Sequence, residues 1–333
     1  MKVLFIVNEN RDSGIRVYAD MVANQLKKLK KIDVSIDSDL NAKYDLVHIH
    51  SCRPENLAKV KLYQPYTPIV ASTHMTSGEV VGLVPDMVLS MIDFGLSTFY
   101  ASCEKVFVTS PHIMRELEKN PLLKKKLVSL PYPLDKNRLH KVSQKEINAF
   151  KKKFGLGKKK IVLCVASIQY RKGIFDFVEA AKNLPQYDFV WVGRIPNLPY
   201  LKNKDEIKAL VEKNKPSNLK FIGPFYGKEL SCAYAGCDLF WLPSFSETFG
   251  LVIIEAASFG RPVLIRNIPV KELFNDFVQT YSANPEEKIV PILENKKFAK
   301  VLSKKSSVVT QKFAIKGHID KLVNAYKEVI SKK

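Results

Sequence analysis

The chain has 333 residues, with 53 Lys plus Arg against 33 Asp plus Glu for a formal charge of +20, and 46% of its residues are hydrophobic. That length suits two domains of roughly 100 to 200 residues each. The hydrophobic content, with 26% charged residues, excludes a disordered tail protein.

In chain order, Lys2 to Val7 reads as a strand, and Asn8, Glu9 and Asn10 end its apolar run before it is long enough for a signal peptide or a membrane span. The expected location is therefore cytoplasmic. Gly14 to Lys30 reads as a helix, Asp45 to His50 as a strand, Pro54 to Leu62 as a helix and Pro68 to Thr73 as a strand. Residues 80 to 101 carry no Lys or Arg, and only Asp86 and Asp93 as charges. Pro85 and those two acids argue against a span, leaving a helix packed in the domain core or an apolar groove for an acceptor. Glu104 to Ser110 is a further strand, and a helix begins at about Pro111, where a missing N–H costs nothing. The alternation predicts a parallel sheet with helices on both faces.

The pattern pauses at Leu130-Pro131-Tyr132-Pro133 and resumes at Ile161. Strands are expected at Ile161 to Ala166, Tyr187 to Val192, Leu219 to Ile222, Asp238 to Leu242 and Pro262 to Ile265, with helices from Gly173 and Gly250. Helix then runs from Glu286 to the C-terminus. The expected division is an N-terminal domain over 1–135, a basic linker over 136–160, a second domain over 161–310 and a C-terminal helix over 311–333 that packs back toward the first domain. Both domains are doubly wound, and ligands bind open α/β sheets at the carboxyl ends of the strands.

Charge is concentrated in the linker: residues 136–160 hold ten basic side chains and one acidic, whereas residues 1–135 hold 17 and 15. The run is either a solvated linker with a first helix, or a surface attracted to anionic lipid or nucleic acid. Base-stacking aromatics and recognition motifs are missing beside it, so no nucleic acid partner is expected. Cys52, Cys103, Cys164, Cys232 and Cys237 form no C-x-x-C pair, against a disulfide framework or a zinc site.

The stretch from Leu242 to Leu264 carries the most chemistry. A strand ends at Leu242, a polar loop follows, and a helix opens at Gly250 and stops at Gly260 before Pro262. The amides of Gly250 and Leu251 at that helix start suit a phosphate. Glu247 and Glu255 flank them. Carboxylates do not bind an anion, but they accept hydrogen bonds from sugar hydroxyls; read structurally, they are a helix-dipole partner and a surface helix residue.

Glu247 and Glu255 have seven residues between them inside Pro-Ser-x-x-Glu-x-Phe-Gly-Leu. This resembles the E-x7-E signature of retaining, nucleotide-sugar-dependent glycosyltransferases of group 1, which have the GT-B fold. Asn218-Leu-Lys-Phe-Ile-Gly-Pro, Tyr234 to Asp238 and the Lys172-Gly173 pair follow in that family's order. The resemblance implies two Rossmann-like domains facing across a cleft that closes during transfer. Glu247 would contact the transferred sugar and Glu255 the nucleotide ribose. Phe249, Gly250 and Leu251 would meet the sugar and diphosphate, and Gly223-Pro224-Phe225 would border the base. Lys172 would neutralise the departing diphosphate, with Arg171 supplying a second cation because Ser167 stands where the family has arginine. Gly14 would approach the donor phosphate and His74 the sugar, making His74, Glu247 and Lys172 the expected catalytic group.

The family's common glycine-rich segment is replaced here by Arg266-Asn-Ile-Pro-Val-Lys-Glu-Leu. Thr73 to Glu79 resembles the lead-in of glycosyltransferases that glucosylate membrane lipids. The implied donor is a UDP- or GDP-sugar, with UDP-glucose the first candidate, and the acceptor a membrane lipid or a glycan. No metal or other cofactor is implied, and the enzyme would sit peripherally on the inner face of a membrane, drawn by Lys124-Lys125-Lys126 and the 136–160 stretch. The contrasting reading is a basic α/β protein that binds nucleic acid or anionic lipid without catalysis. His48 and His50 read as packing residues, and His112, His140 and His318 as surface residues.

Overall fold

The computed structural model describes residues 1–9, 13–52, 56, 58, 60, 62, 65–74, 86–197 and 201–332. The chain forms two compact units, Met1–Pro133 together with Phe313–Lys333, and Leu134–Lys312. The basic stretch 136–160 thus belongs to the second unit.

In the first unit, β1 (Lys2–Ile6), β2 (Asp33–Ile36), β3 (Leu46–Ile49), β4 (Ile69–Ser72), β5 (Lys105–Val108) and β6 (Leu127–Ser129) form one sheet in the order β2-β1-β3-β4-β5-β6. Every pairing in it is parallel. Two of these strands, β2 and β6, have no apolar run and escape the periodicity reading. Helix α1 (Gly14–Lys27) starts on Ser13, whose Oγ accepts the Ile15 amide at 3.3 Å, and buries Tyr18, Ala19, Met21, Val22, Ala23 and Leu26. Helix α2 (Asp86–Ser102) covers most of the apolar stretch. The expected helix over 54–62 and the lead-in from Met75 to Glu79 lie largely outside the described residues. Among those residues, no helix is long and apolar enough to cross a membrane.

The second unit repeats the plan with β7 (Ile161–Val165), β8 (Asp188–Val192), β9 (Leu219–Ile222), β10 (Leu239–Leu242), β11 (Val263–Arg266) and β12 (Val278–Tyr281), ordered β12-β11-β10-β7-β8-β9 and all parallel. β7 and β8 are buried along their full length and, apart from Asp188 at the start of β8, read as continuous apolar runs, as strands covered on both faces do. The stacked rings of Phe177 and Trp241, 5.2 Å apart, sit at its core with Trp191 against Phe177.

The final helix, Ile315–Ser331, returns to the first unit and buries His318, Ile319, Leu322, Ala325, Tyr326 and Val329. His318 is therefore interior, contrary to the surface position expected of it. Its Nδ1–H donates to the Pro131 carbonyl at 2.9 Å, which leaves Nε2 to accept from the Tyr18 hydroxyl at 2.9 Å. The same cluster holds His48, which bonds Tyr326 Oη at 2.5 Å and Ser72 Oγ at 2.8 Å, and His50, which bonds His74 Nε2 at 2.9 Å.

Burial holds the His74 and His318 imidazoles neutral, with their pKa values lowered to about 3 and about 4, and lowers His48 and His50 well below the ordinary value. Histidine in an unfolded chain titrates near 6.5. Between the two values the unfolded chain binds more protons, so this stability is complete above about pH 6.5 and is lost as pH falls toward 4. Hydrogen exchange of the β3 and β4 amides, corrected for intrinsic rate, should report that loss between pH 7 and 5, at up to about 1.4 kcal/mol per pH unit for each histidine. A His318→Phe variant should show a shallower dependence.

Candidate active site

In the second sheet, successive connections run outward from β7 in both directions, so β7 and β10 flank the point where strand order reverses. Loops leaving such a pair at their carboxyl ends diverge and leave room for a ligand. The loop after β7 is pinned early, where Trp191 Nε1 donates to the Ala166 carbonyl at 2.8 Å. It ends in a short 3-10 turn, Tyr170–Lys172, closed by Gly173 in the left-handed region at φ 77°. The loop after β10 runs from Pro243 to Gly250.

The two loops interlock through backbone. A Cβ added at Gly173 would lie 2.3 Å from the Pro243 carbonyl oxygen, so only glycine permits this approach. The Phe245 amide donates to the Arg171 carbonyl at 2.9 Å, and Arg171 Nη1 donates back to the Ser246 carbonyl at 2.8 Å. These contacts bring Lys172 to Glu247, where Nζ donates to Oε1 at 2.6 Å.

Neither partner is a solvated loop residue: their side chains retain 15% and 8% exposure. Burial alone would raise the Glu247 pKa, but the charges of Lys172 and Arg171 outweigh it and hold the carboxyl below its ordinary value. Glu247 is therefore an anion at neutral pH, facing a cation that can exchange partners. Arg171, expected to supply a second cation, is also a strut of the loop through Ser246.

Glu255 is likewise buried rather than on a helix surface. It lies on the helix Leu251–Ser258, accepts from the Tyr234 hydroxyl at 2.7 Å and pairs with Arg138 at 3.2 Å. Arg138 was not singled out in the sequence, because it sits in the lysine-rich stretch where its charge resembles its neighbours'. Among its neighbours, Lys153 pairs at the surface with Glu229 at 2.7 Å, and Lys160 with Glu294 at 3.3 Å.

Gly250, at φ 82°, opens the Glu255 helix, and a Cβ there would lie 2.8 Å from Ile253 Cδ1. Phe249 anchors the turn in the core, and Leu251 begins the helix. Gly223 follows β9 and so lies along the same carboxyl edge; Phe225 packs on Phe150 and Phe154 at 5.7 and 5.4 Å between ring centres. The second unit thus brings Arg171, Lys172 and Glu247 together at the interlocked loops, with Phe249, Gly250 and Leu251 next in the chain, and holds Glu255 against Tyr234 and Arg138.

The first-unit residues stand differently. Gly14 is the first residue of α1, but Asn10 to Asp12 of its loop lie outside the described residues. His74, expected near the sugar, is 2% exposed, and both its ring nitrogens are engaged, one by His50 and the other by the Tyr132 hydroxyl. In this arrangement it offers no group to a substrate.

The Lys172–Glu247 pair sets a stability test. Lys172→Met leaves a buried carboxylate unpaired and should destabilise the second unit by about 3 kcal/mol. Adding Glu247→Gln should recover part of that loss, because no buried charge then remains. Chemical denaturation followed by Trp191 and Trp241 fluorescence measures these and Glu247→Gln alone; a double-variant loss equal to the sum of the two single losses would show the pair to be uncoupled.

Known proteins align with this architecture. The family model of glycosyl transferases group 1 matches residues 146–307. The chain is 27% identical over 250 residues to the processive diacylglycerol alpha-glucosyltransferase of Acholeplasma laidlawii, covering 74% of this chain and 73% of that protein. It is 28% identical over 235 residues to the alpha-galactosylglucosyldiacylglycerol synthase of Streptococcus pneumoniae, covering 69% of this chain and 63% of that one. Among solved structures, Anabaena HepE in complex with UDP and glucose superposes with a TM-score of 0.81 at 16% identity, covering 98% of this chain and 100% of HepE, a likeness of fold. The second unit, whose paired loops carry the two glutamates, is thus the part that matches the glycosyl transferases group 1 model, and the chain has the GT-B type of α/β fold.

Proposed function

We propose that this protein transfers a glucosyl group from UDP-glucose to a hydroxyl of a membrane glycerolipid, with retention at the anomeric carbon. The observation that carries the reading is the buried Lys172–Glu247 pair at the strand switch point. A diphosphate arriving beside Lys172 competes for its ammonium, and the pair opens. Lys172 then faces a leaving group whose negative charge grows in the transition state, where a preorganised cation stabilises most. Glu247, freed, accepts hydrogen bonds from the sugar hydroxyls. The amides at the Gly250–Leu251 helix start face the diphosphate, and Glu255, oriented by Arg138 and Tyr234, takes the ribose. Charge compensation comes from these side chains, and no metal is invoked.

The lipid acceptor is supported from the first unit. Helix α2 leaves Met87, Met91 and Phe94 exposed. Spaced four and three residues apart, they form one stripe. The turn carrying Lys119, Leu122, Lys124 and Lys125 lies against the same helix, through Asn120 Nδ2 to Ser97 Oγ at 2.9 Å and Lys126 Nζ to the Ala101 carbonyl at 2.6 Å. An apolar stripe beside lysines suits a bilayer with anionic headgroups. The lipid acceptors in the names of the two bacterial relatives agree with that chemistry.

The test supplies UDP-glucose, UDP-galactose and GDP-mannose, each with vesicles containing diacylglycerol, with and without anionic lipid. Glucolipid formation from UDP-glucose, stronger on anionic vesicles at low salt, is expected. Glu247→Gln should cut turnover by about 100-fold or more, as for loss of one transition-state contact, and Arg138→Met should raise the donor KM about tenfold. Transfer to a soluble sugar but to no lipid would overturn the acceptor assignment. Full turnover by a folded Glu247→Gln variant would overturn the site.

A further inference from the structure

Arg266, at the end of β11, makes contacts that the proposed donor site does not use. Its Nε donates to the Pro243 carbonyl at 3.1 Å, and its Nη2 pairs with Asp176. Its guanidinium also lies 4.2 Å from the centre of the Phe245 ring and 5.2 Å from that of Tyr281. Phe245 in turn stacks on Tyr170, 5.5 Å away and 14° from parallel, and Lys202 Nζ lies over the Tyr170 ring, 3.8 Å from its centre. The sequence from Lys202 through Tyr170 and Phe245 to Arg266 is one continuous stack of cation, ring, ring and cation.

The two rings of this stack belong one to each of the two interlocked loops. Tyr170 begins the turn that carries Arg171 and Lys172; Phe245 precedes Ser246 and Glu247. Pro243, whose carbonyl Arg266 holds, is the residue against which Gly173 packs without a Cβ. Asp176 lies in the helix that Gly173 opens, so the guanidinium bridges that helix and the loop after β10. Its charge is taken up by Asp176, and its side chain is 16% exposed. What it contributes to the loop is direction, from a planar fork and a stacking face that lysine lacks.

We propose that Arg266 is a positioning residue for the transfer reaction: it fixes the Pro243–Glu247 loop, through the Pro243 carbonyl and the Phe245 ring, in the register that places Glu247 against Lys172. The proposal deepens the donor-site reading and rests on it for its effect on turnover, whereas its structural consequence is independent of any substrate.

The experiment therefore reads both. Hydrogen exchange at the Phe245 amide, which donates to the Arg171 carbonyl, is measured in the full-length protein and in Arg266→Met, Arg266→Lys and Phe245→Leu, with the β7 and β8 amides as the control for folding. Exchange at Phe245 should quicken at least tenfold in all three while the strand amides keep their protection. With UDP-glucose and diacylglycerol vesicles, kcat should fall by up to about 100-fold, the scale of a misplaced reacting group, while the donor KM changes less than threefold.

Methylguanidinium added to Arg266→Ala should recover part of the lost rate. Arg266→Lys behaving as wild type in both exchange and kcat would overturn the proposal, since it keeps the charge and loses the fork. Unchanged exchange at Phe245 in Arg266→Lys and Phe245→Leu would overturn it whatever the activity. Quickened exchange in a protein whose wild type does not turn over UDP-glucose would sink the donor reading and leave the positioning role standing.

Discussion

The carbonyl of Pro243 approaches the backbone of Gly173 more closely than any side chain would allow, and that approach joins two loops which the sheet itself sends apart. β7 and β10 are neighbours in the second sheet, but their following helices diverge. Left alone, the loops would be independent, mobile connections. The missing Cβ lets them meet, and the bonds between Arg171 and the 245–246 backbone keep them in register. Lys172 and Glu247 come together as a consequence. A buried ion pair adds little net stability by itself, so its closeness reflects loops held by backbone geometry.

The same economy appears around Glu255. Its two oxygens are oriented by Tyr234 and Arg138, which leaves a fixed carboxylate beside a helix start whose amides favour an anion. Two carboxylates are thus each held, largely buried, against a cation of their own. A diphosphate sugar would enter by exchange: its phosphates take over cations, and its hydroxyls take over carboxylates. Such an exchange preserves the count of satisfied charges at each step, which a low-dielectric site requires.

Much of this was legible in the residues. The alternation of apolar strands with amphipathic helices predicted two parallel sheets, and Glu247, Glu255, Lys172 and Gly250 stood out through their spacing around a strand end and a helix start. The misses have physical causes. β2, β6 and β12 are three or four residues long, and β2 and β12 have polar and half-buried positions, as edge or near-edge strands do, so no apolar run marks them. His318 looked exposed because its partners, Tyr18 and Pro131, are far away in the chain. Arg138 was hidden by surrounding lysines. The two glutamates looked solvated because the local sequence carries no sign that Arg138 and Lys172 fold over them. Arg266 appeared only as a departure from a glycine-rich pattern; its role became visible once Asp176, Pro243 and Phe245 were seen around it.

The central claim is that donor binding works by partner exchange at Lys172 and Glu247. A crystal structure of the complex with UDP-glucose tests it most directly. The account predicts Lys172 Nζ within hydrogen-bond distance of a diphosphate oxygen, with the Glu247 carboxylate moved onto hydroxyls of the glucose. A bound donor whose diphosphate lies away from Lys172, with the 2.6 Å contact to Glu247 intact, would contradict it.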